Sequence, residues 1–328
     1  MKKAAFVTII GRPSVGKSTL LNRMCGEKVA IVSSVPQTTR NAIRGIVTRD
    51  EGQLVFVDTP GRHTSQKKMN KKLMDVSERA LNDSDFVLYV LDASRAPGEE
   101  EEEITSLLKP LSEKLIIAIN KIDVSSADAA KTTDFLKQEF SYISRNDAEN
   151  AEKKNEEDEN KTTSSISAIS SPACLCDNFF LISANTGEGV DDLLNALFAM
   201  APEGQPLYDS DYYTDQETGF RIAEIIREQA INRLRQELPH SLYVDVADLE
   251  LKEDGSKLWV RAFIIVERES QKGMVVGKGG EMIKAIRLGA LKDLKRIFDW
   301  KIDLDLRVKT GKDWRHNDHT LRKIIDRN

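Results

Sequence analysis

Four short motifs in the N-terminal half of the chain carry residues that can bind a nucleotide. The first, Gly11–Ser18 (GRPSVGKS), matches the pattern G-x-x-x-x-G-K-[ST] of a phosphate-binding loop. Its glycines let successive backbone N–H groups turn towards phosphate oxygens, while Lys17 meets the β- and γ-phosphates and the Ser18 hydroxyl ligates magnesium. The predicted phosphate site comprises Gly11, Arg12, Pro13, Ser14, Val15, Gly16, Lys17, Ser18 and Thr19.

The second motif, Asp58-Thr59-Pro60-Gly61, follows the apolar run Leu54–Val57, which has the composition of a buried strand. A carboxylate at the end of such a strand can hold magnesium through a water molecule. A glycine N–H beside it can contact a γ-phosphate and sense its loss. We therefore predict that Asp58, Thr59, Pro60 and Gly61 belong to the same site.

The last two motifs favour guanine as the base. Asn120-Lys121-Ile122-Asp123 follows an apolar run, and the Asp123 carboxylate can accept hydrogen bonds from guanine N1–H and its exocyclic amine. Adenine lacks this pair of donors, and a polar site without its partner discriminates by about 10⁴–10⁵. In Ser183-Ala184-Asn185 the Ala184 N–H can reach guanine O6. The predicted base site comprises Asn120, Lys121, Asp123, Ser183, Ala184 and Asn185.

A glycine turn near the C-terminus predicts a second binding site. Val275–Ile283 (VVGKGGEMI) places G-x-x-G before a helical pattern, and such a turn lets a nucleic-acid backbone pass close by while Lys278 meets phosphate. The chain has a net charge of -5, yet residues 272–328 carry 15 Lys and Arg against 8 Asp and Glu. A polyanionic partner or a solvated charged face explains this charge equally well. The predicted RNA-binding residues are Lys272, Gly277, Lys278, Gly279, Gly280 and Lys284.

The elements that must position these motifs follow from the hydrophobic pattern. Apolar runs alternating with helical patterns over the first 200 residues predict an α/β domain with a mostly parallel sheet. Beyond it, a smaller α+β domain is predicted, built of helix, two strands, glycine turn, helix, strand and helix. The predicted strands are Ala4–Ile10, Ala42–Arg49, Gln53–Asp58, Phe86–Asp92, Leu115–Asn120, Phe179–Ser183, Leu242–Leu251, Lys257–Val266 and Lys301–Val308. Helices are predicted to begin near Lys17, Asn70, Glu99, Ala127 and Val190 and to span Gly219–Glu237, Glu281–Phe298 and Asp318–Asp326.

These patterns divide the chain into a nucleotide-binding domain at residues 1–200, a linker at residues 201–213 and a nucleic-acid-binding domain at residues 214–328. Within the first domain, residues 144–177 are polar and then serine-rich, with no hydrophobic period. Such a segment cannot bury enough apolar area to offset its ordering entropy. We predict a disordered surface insertion there that nucleotide chemistry does not need.

The composition favours a reducing compartment. Three cysteines, Cys25, Cys174 and Cys176, cannot form an even set of disulfides, which indicates a cytoplasmic location. No apolar run approaches the ~20 residues that are needed to cross a bilayer.

The motifs, in this order, resemble the Era GTPases, P-loop GTPases with a C-terminal KH domain of type II. The shared strings include GRPSVGKSTLLN, QTTR, DTPG, NKID, DYYTD, EIIRE, ELPHS, VERESQKGMVVGKGG and VKTGKDW. The resemblance implies slow hydrolysis of GTP to GDP with Mg²⁺, and binding to the 3′ end of small-subunit ribosomal RNA during maturation of the small ribosomal subunit. It also implies a monomer, with weak peripheral association with the inner face of the cell membrane as a further expectation.

The resemblance assigns roles within the nucleotide site. Residues 33–40 become the first switch segment, in which Thr39, or alternatively Thr38, ligates Mg²⁺ together with Ser18 and, through water, Asp58. The residues expected to act in hydrolysis are Lys17, Thr39 and Gly61.

Two residues depart from the family pattern. Ser14 stands where family members often carry Asn, and Arg62 stands where a bulky apolar residue is usual. The Gln that orients the attacking water in Ras-like enzymes has no counterpart after Gly61. We therefore expect slow hydrolysis that depends only weakly on potassium.

Two other readings of the sequence stay open at this point. One is a pure RNA-binding module in which guanine nucleotide only stabilises the fold. The other is a tRNA-modification GTPase, which predicts a C-terminal cysteine, whereas the last cysteine of this chain is Cys176.

Overall fold

The N-terminal domain is a six-stranded sheet with helices on both faces. The computed structural model describes residues 2–35, 38–60, 80–140 and 179–325. Strand order is β2-β3-β1-β4-β5-β6, and all neighbours are parallel except β2 and β3. The strands are β1 (Lys3–Ile10), β2 (Ile43–Arg49), β3 (Gly52–Asp58), β4 (Phe86–Asp92), β5 (Leu115–Asn120) and β6 (Phe179–Leu181).

The helices of this domain cover the two faces of the sheet. They are α1 (Lys17–Cys25), α2 (Glu99–Leu108), α3 (residues 129–140) and α4 (Val190–Met200). Leu20 of α1 and Leu193 of α4 pack in the core on one face, whereas Ile104 of α2 and Leu136 of α3 pack on the other. Because helices cover both faces, the parallel strands are apolar throughout, as the sequence predicted.

The carboxyl ends of the parallel strands bring the predicted nucleotide motifs to one edge of this sheet. β1 leads into the phosphate loop, β3 ends at Asp58, β5 ends at Asn120, and β6 is followed closely by Ser183. Ligands of open parallel sheets bind at this edge.

The C-terminal domain packs three helices on a three-stranded sheet of order β7-β8-β9. The pairing β7–β8 is antiparallel and β8–β9 is parallel. A fourth helix, α8, packs Leu321 against Trp314 beside Tyr243 of β7. The elements are α5 (Thr218–Ile231), β7 (Leu242–Leu251), β8 (Lys257–Val266), α6 (Glu269–Val276), α7 (Glu281–Ile297), β9 (Lys301–Thr310) and α8 (Asp318–Ile325).

One predicted helix of this domain has a different end, and one helix was missed. The helix predicted to run to Glu237 ends at Ile231, and Gln236 takes a left-handed conformation with φ 58°. Pro239 disfavours helix at Leu238, and the buried Leu234 and Leu238 continue the apolar pattern beyond the end of the helix. The helix Glu269–Val276 was not predicted, because Val275 is its one buried residue and no apolar period marks it.

The segment between the two domains is tied to the N-terminal sheet. The Gln53 side-chain carbonyl accepts hydrogen bonds from the backbone N–H groups of Leu207 (2.8 Å) and Tyr208 (2.9 Å). Ile46 N donates to Tyr213 O at 2.9 Å, so this segment also bonds the edge strand β2. Within the described residues, no helix is both long enough and apolar enough to cross a membrane.

Candidate functional site

The phosphate loop joins β1 to α1 and packs directly against the base motif. Gly16 has φ 104°, and a Cβ there would lie 2.3 Å from Asn120 Nδ2. The absent side chain lets Asn120 Nδ2 donate to Val15 O at 2.8 Å. The second glycine of the motif is therefore required both by the backbone conformation and by the close approach of Asn120.

Lys17 is held inside the loop. Its ammonium donates to Gly11 O (2.8 Å) and Arg12 O (2.9 Å), and burial lowers its pKa to about 8, while Asp58 opposes this shift. Within the described residues, the hydrogen bonds of this buried ammonium go to carbonyl oxygens, so it is suited to bind an incoming anion. The negative charge of that anion would favour the protonated form of Lys17.

Three oxygen-bearing residues meet at the entrance to α1. Asp58 Oδ2 accepts hydrogen bonds from Ser18 Oγ (2.6 Å) and Thr39 Oγ1 (3.3 Å), and the two hydroxyl oxygens lie 3.1 Å apart. Burial raises the pKa of Asp58, and its second oxygen, Oδ1, is buried without a hydrogen-bond partner among the described residues. Hydroxyl and carboxylate oxygens with one orphaned acceptor fit Mg²⁺ and its bound water. Thr38 Oγ1 donates to Val35 O instead.

The base motif forms a rigid frame around an exposed carboxylate. Asn120 Oδ1 accepts from Ala184 N at 2.9 Å, which ties β5 to the loop after β6. Asp123 accepts from Ser183 Oγ (2.7 Å) and Asn185 Nδ2 (3.5 Å). The hydrogen bond from Ser183 is the main cause of the lowered pKa of Asp123, which keeps this carboxylate ionised and able to accept from guanine.

A buried ion network below the loop was not predicted. The Arg12 guanidinium lies 2.5 Å from Glu101 Oε1 and 3.5 Å from Asp92 Oδ2, and Lys121 Nζ donates to the same Asp92 oxygen at 2.7 Å. Glu101 also accepts from Gly98 N at 3.0 Å, so it caps α2. Asp92 could have been found from the sequence, since it ends a buried strand at the functional edge, but Glu101 resembles its four acidic neighbours.

The phosphate loop and the first switch segment line an open cavity of about 410 Å³. Lys121 of the base motif also lines this cavity. The lining residues include Pro13, Ser14, Gly16, Lys17, Ser18, Thr19, Val35, Thr38 and Thr39. Thr59 lies deeper and donates its hydroxyl to Ile9 O at 2.8 Å.

Some predicted residues lie outside the described part of the chain. They are Gly61, Arg62, the segment 144–177 with Cys174 and Cys176, and the helix expected near Asn70.

The glycine turn of the C-terminal domain is exposed where α7 begins. Gly277 (φ 75°) is packed so closely that a Cβ would lie 2.9 Å from Met282 N, whereas Gly279 (φ 61°) and Gly280 (φ 82°) face open space. Lys278 and Lys284 are exposed beside it, and Lys272 pairs with Glu269 at 3.0 Å. Gly277 therefore shapes the turn, while the next two glycines leave room for a backbone to approach.

An apolar rim beside the turn was not predicted. Met274 of α6 is 56% exposed and Leu288 of α7 is 53% exposed. Exposed apolar side chains of this size offer surfaces on which the bases of a nucleic acid can pack.

Comparison with known proteins supports both halves of this description. Residues 6–121 match the family described as 50S ribosome-binding GTPase, and residues 237–315 match the KH domain family. GTPase Era of Treponema denticola is 48% identical over 318 residues, which span 97% of this chain and 98% of the relative. GTPase Era of Borreliella burgdorferi is 40% identical over 324 residues, which span 99% of this chain and 100% of the relative.

Two solved structures have the same architecture from end to end. An Era in complex with MgGDPNP and nucleotides 1506–1542 of 16S ribosomal RNA has a TM-score of 0.80 at 29% identity, and the match covers 99% of each chain. A variant of Aquifex aeolicus Era bound to GDP and AlF4⁻ has a TM-score of 0.81 at 30% identity, over 98% of each chain.

Fold and site together define a P-loop GTPase that carries a C-terminal KH domain. At these identities and coverages, the chain belongs to the Era family of GTPases. Membership of a family of GTPases favours an enzyme over a module in which the nucleotide is only structural.

Proposed function

We propose that this GTPase binds the 3′ end of small-subunit ribosomal RNA and assists maturation of the small ribosomal subunit, with its nucleotide state setting its affinity for that RNA. The observation that carries the proposal is the exposed Gly277–Gly280 turn. It lies in the same chain as a GTPase domain with an open nucleotide cavity. The relative that is bound to nucleotides 1506–1542 of 16S ribosomal RNA supports the choice of RNA.

The nucleotide is held by residues of the phosphate loop and base frame. Backbone N–H groups of the phosphate loop, from residues other than Pro13, surround the phosphates, and Lys17 moves from its loop carbonyls to the β- and γ-phosphate oxygens. Asp123 accepts from guanine N1–H and the 2-amine, held in place by Ser183 and Asn185. The Ala184 N–H already donates to Asn120 Oδ1, and this hydrogen bond stiffens the frame. Guanine O6 would be a second acceptor for the same N–H group.

Ser18, Thr39 and, through water, Asp58 would hold Mg²⁺, and the buried Asp58 Oδ1 supplies the free acceptor for that water. The ion supplies positive charge that neutralises the phosphate oxygens. The Lys17 ammonium places a second positive charge beside the same oxygens. This charge stabilises them in a largely dissociative transition state, in which the bonds to the γ-phosphorus are weak. Gly61 is assigned contact with the γ-phosphate by its place after Asp58-Thr59-Pro60.

The RNA backbone would lie along Gly279 and Gly280, with phosphates near Lys278 and Lys284 and the N-terminus of α7. Met274 and Leu288 would pack against bases beside the turn. A ribosomal partner implies a cytoplasmic location, whereas a monomeric state and weak association with the inner face of the membrane stay predictions.

Co-sedimentation with small ribosomal subunits tests this proposal. We expect the full chain to sediment with subunits in the presence of GMPPNP, a non-hydrolysable GTP analogue, and to bind them more weakly with GDP or without nucleotide. An excess of free RNA with the 3′-terminal sequence should compete for the chain and abolish its co-sedimentation with the subunits. Equal binding in all three nucleotide states would contradict the switch, and failure of the RNA to compete would contradict the assigned partner.

A further inference from the structure

Helix α5, the first helix of the C-terminal domain, holds the first switch segment of the GTPase domain at two places. Arg227 Nη2 donates to Thr38 O at 2.6 Å. At the other end, Val32 N donates to Glu228 Oε1 at 2.9 Å, and Ser33 Oγ donates to Asn232 Oδ1 at 2.6 Å. One helix of the RNA-binding domain therefore fixes both ends of a segment that lines the nucleotide cavity.

These contacts use buried charges. Arg227 is 2% exposed and Glu228 is 5% exposed. Glu224 holds the guanidinium of Arg227 from the same helix, with Nε to Oε1 at 2.7 Å, and Lys28 pairs with Glu228. Hydrogen bonds to ionised groups are the stronger kind, and a buried charge is costly unless it is paired. The two side chains are therefore preorganised to hold the switch.

The residues after Thr38 are anchored to the same domain. Arg40 Nη1 donates to Leu242 O at 2.9 Å, and its guanidinium lies 5.6 Å from the ring centroid of Trp314. Thr39 stands between these two anchored neighbours, with its hydroxyl directed at Ser18 and Asp58. The path of the backbone on each side of Thr39 is thus set by groups of the C-terminal domain.

Three shared sequence strings without a role in either predicted site meet at this interface. EIIRE contributes Arg227 and Glu228 on α5, ELPHS ends where Ser241 O accepts from Trp314 Nε1 at 3.2 Å, and VKTGKDW contributes Trp314 itself. Each of these strings therefore contributes to the contacts that anchor the first switch segment.

We propose that Arg227 and Glu228 are positioning residues of the GTPase reaction, which hold the first switch segment so that Thr39 stays in the Mg²⁺ site when a triphosphate is bound. The proposal rests on the role of Thr39 assigned under the proposed function. Switch segments of this kind are ordered by the γ-phosphate and Mg²⁺ and are released on hydrolysis. A clamp that preorganises the segment therefore favours GTP over GDP.

The test compares Arg227→Met with Arg221→Met in the full chain. Both variants remove a guanidinium from α5, but Arg221 contacts Tyr213 and Phe298 and lies away from the switch. We expect Arg227→Met to weaken binding of Mg²⁺–GMPPNP by about tenfold and to change GDP affinity by less than about twofold, with Arg221→Met near wild type in both. The Mg²⁺ concentration for half-maximal GMPPNP binding should rise in Arg227→Met alone.

Asn232→Ala serves if Arg227→Met does not fold, because Asn232 is exposed and its loss removes only the Ser33 contact. A smaller loss of GMPPNP affinity at constant GDP affinity is expected. Equal losses for both nucleotides, or none, in folded variants would overturn the inference while leaving the proposed function in place. A wild type whose nucleotide state leaves RNA affinity unchanged would instead overturn the proposed function.

Discussion

At the scale of single residues, the proposed recognition of guanine depends on one exposed carboxylate whose direction is fixed by its neighbours. Ser183 Oγ and Asn185 Nδ2 donate to the two oxygens of Asp123. The lowered pKa of Asp123 follows mainly from the hydrogen bond of Ser183, so the carboxylate stays ionised over the physiological range. The remaining acceptor capacity of both oxygens is available to a base.

Replacing Asp123 with Asn should change the base that is bound. An amide can donate as well as accept, and xanthine has an oxygen where guanine has the 2-amine. We expect Asp123→Asn to weaken GTP binding by about 100-fold, the cost of two hydrogen bonds to a charged group, and to favour XTP. Competition binding with GTP, XTP and ATP measures this. ATP binding by the wild type with the affinity of GTP would contradict the assignment of Asp123.

Ser14 sets the expected response to potassium. It has φ 65°, a left-handed conformation that Asn adopts more readily than most residues, so Ser14→Asn should fit the same backbone. Related GTPases that lack the catalytic Gln hold potassium beside the phosphates partly through this Asn. We expect the shorter Ser14 hydroxyl to leave the wild type with slow hydrolysis that proceeds at similar rates in potassium and in sodium.

Single-turnover hydrolysis in the two salts checks this prediction. Ser14→Asn should hydrolyse faster in potassium than in sodium. Strong activation of the wild type by potassium would refute the prediction, and a large rate loss in Arg62→Ala would add Arg62 to the hydrolytic residues.

At the scale of elements, different glycines of the turn before α7 fix its conformation and face the space where RNA is expected. Gly277 cannot take a side chain without a clash with Met282, whereas Gly279 faces open space. A substitution at Gly277 would therefore deform the turn, and a substitution at Gly279 projects into the volume where RNA is expected. Gly279 is therefore the better residue to change in a test of binding, provided that the control shares its left-handed backbone conformation.

Gly279→Asp should weaken RNA binding by about tenfold or more, because it places a negative charge beside phosphate. Gly255→Asp is the matched control, since Gly255 also has a left-handed φ, of 68°, and faces open space in the β7–β8 turn. Filter binding with the 3′-terminal ribosomal RNA, at several salt concentrations, measures the change. Unaltered RNA binding by a folded Gly279→Asp, with GTP binding intact, would show that the site is elsewhere.

At the scale of the whole molecule, the two domains share one continuous set of contacts around α5. Its polar face holds the first switch segment, and Gln229 Nε2 donates to Asp293 Oδ2 of α7 at 2.5 Å. Helix α7 begins at the glycine turn, so α5 and α7 together connect the nucleotide cavity with the proposed RNA site. This arrangement gives a physical route by which each ligand can influence the other.

Thermodynamic linkage makes this influence reciprocal. If GMPPNP in place of GDP raises RNA affinity by some factor, RNA must raise the preference for GMPPNP over GDP by the same factor, about 5–150 in typical cases. Four dissociation constants, for each nucleotide with and without RNA, measure it. A factor of one would show that the interface does not couple the two sites.

The sequence by itself determined most elements and predicted the motifs of the nucleotide site. The strands that end at Asp92 and Asn120 were predicted to the residue, because buried parallel strands are continuous apolar runs with sharp polar ends. The motifs could be assigned because phosphate and guanine chemistry requires particular residue types at fixed spacing. The end of the amphipathic helix α5 and the whole of α6 could not be predicted from the sequence. Turns and capping hydrogen bonds produce no hydrophobic periodicity that would mark them.

Only the tertiary structure decided which distant segments of the chain contact one another. Arg227 lies 189 residues from Thr38 along the chain, and neither its residue type nor the apolar pattern of α5 marks it as a partner of the switch. Arg12, Asp92 and Glu101 likewise form an ion network from three separate segments that only the fold brings together. Motif chemistry is local and can be read along the sequence, whereas contacts between distant segments depend on the packing of two domains.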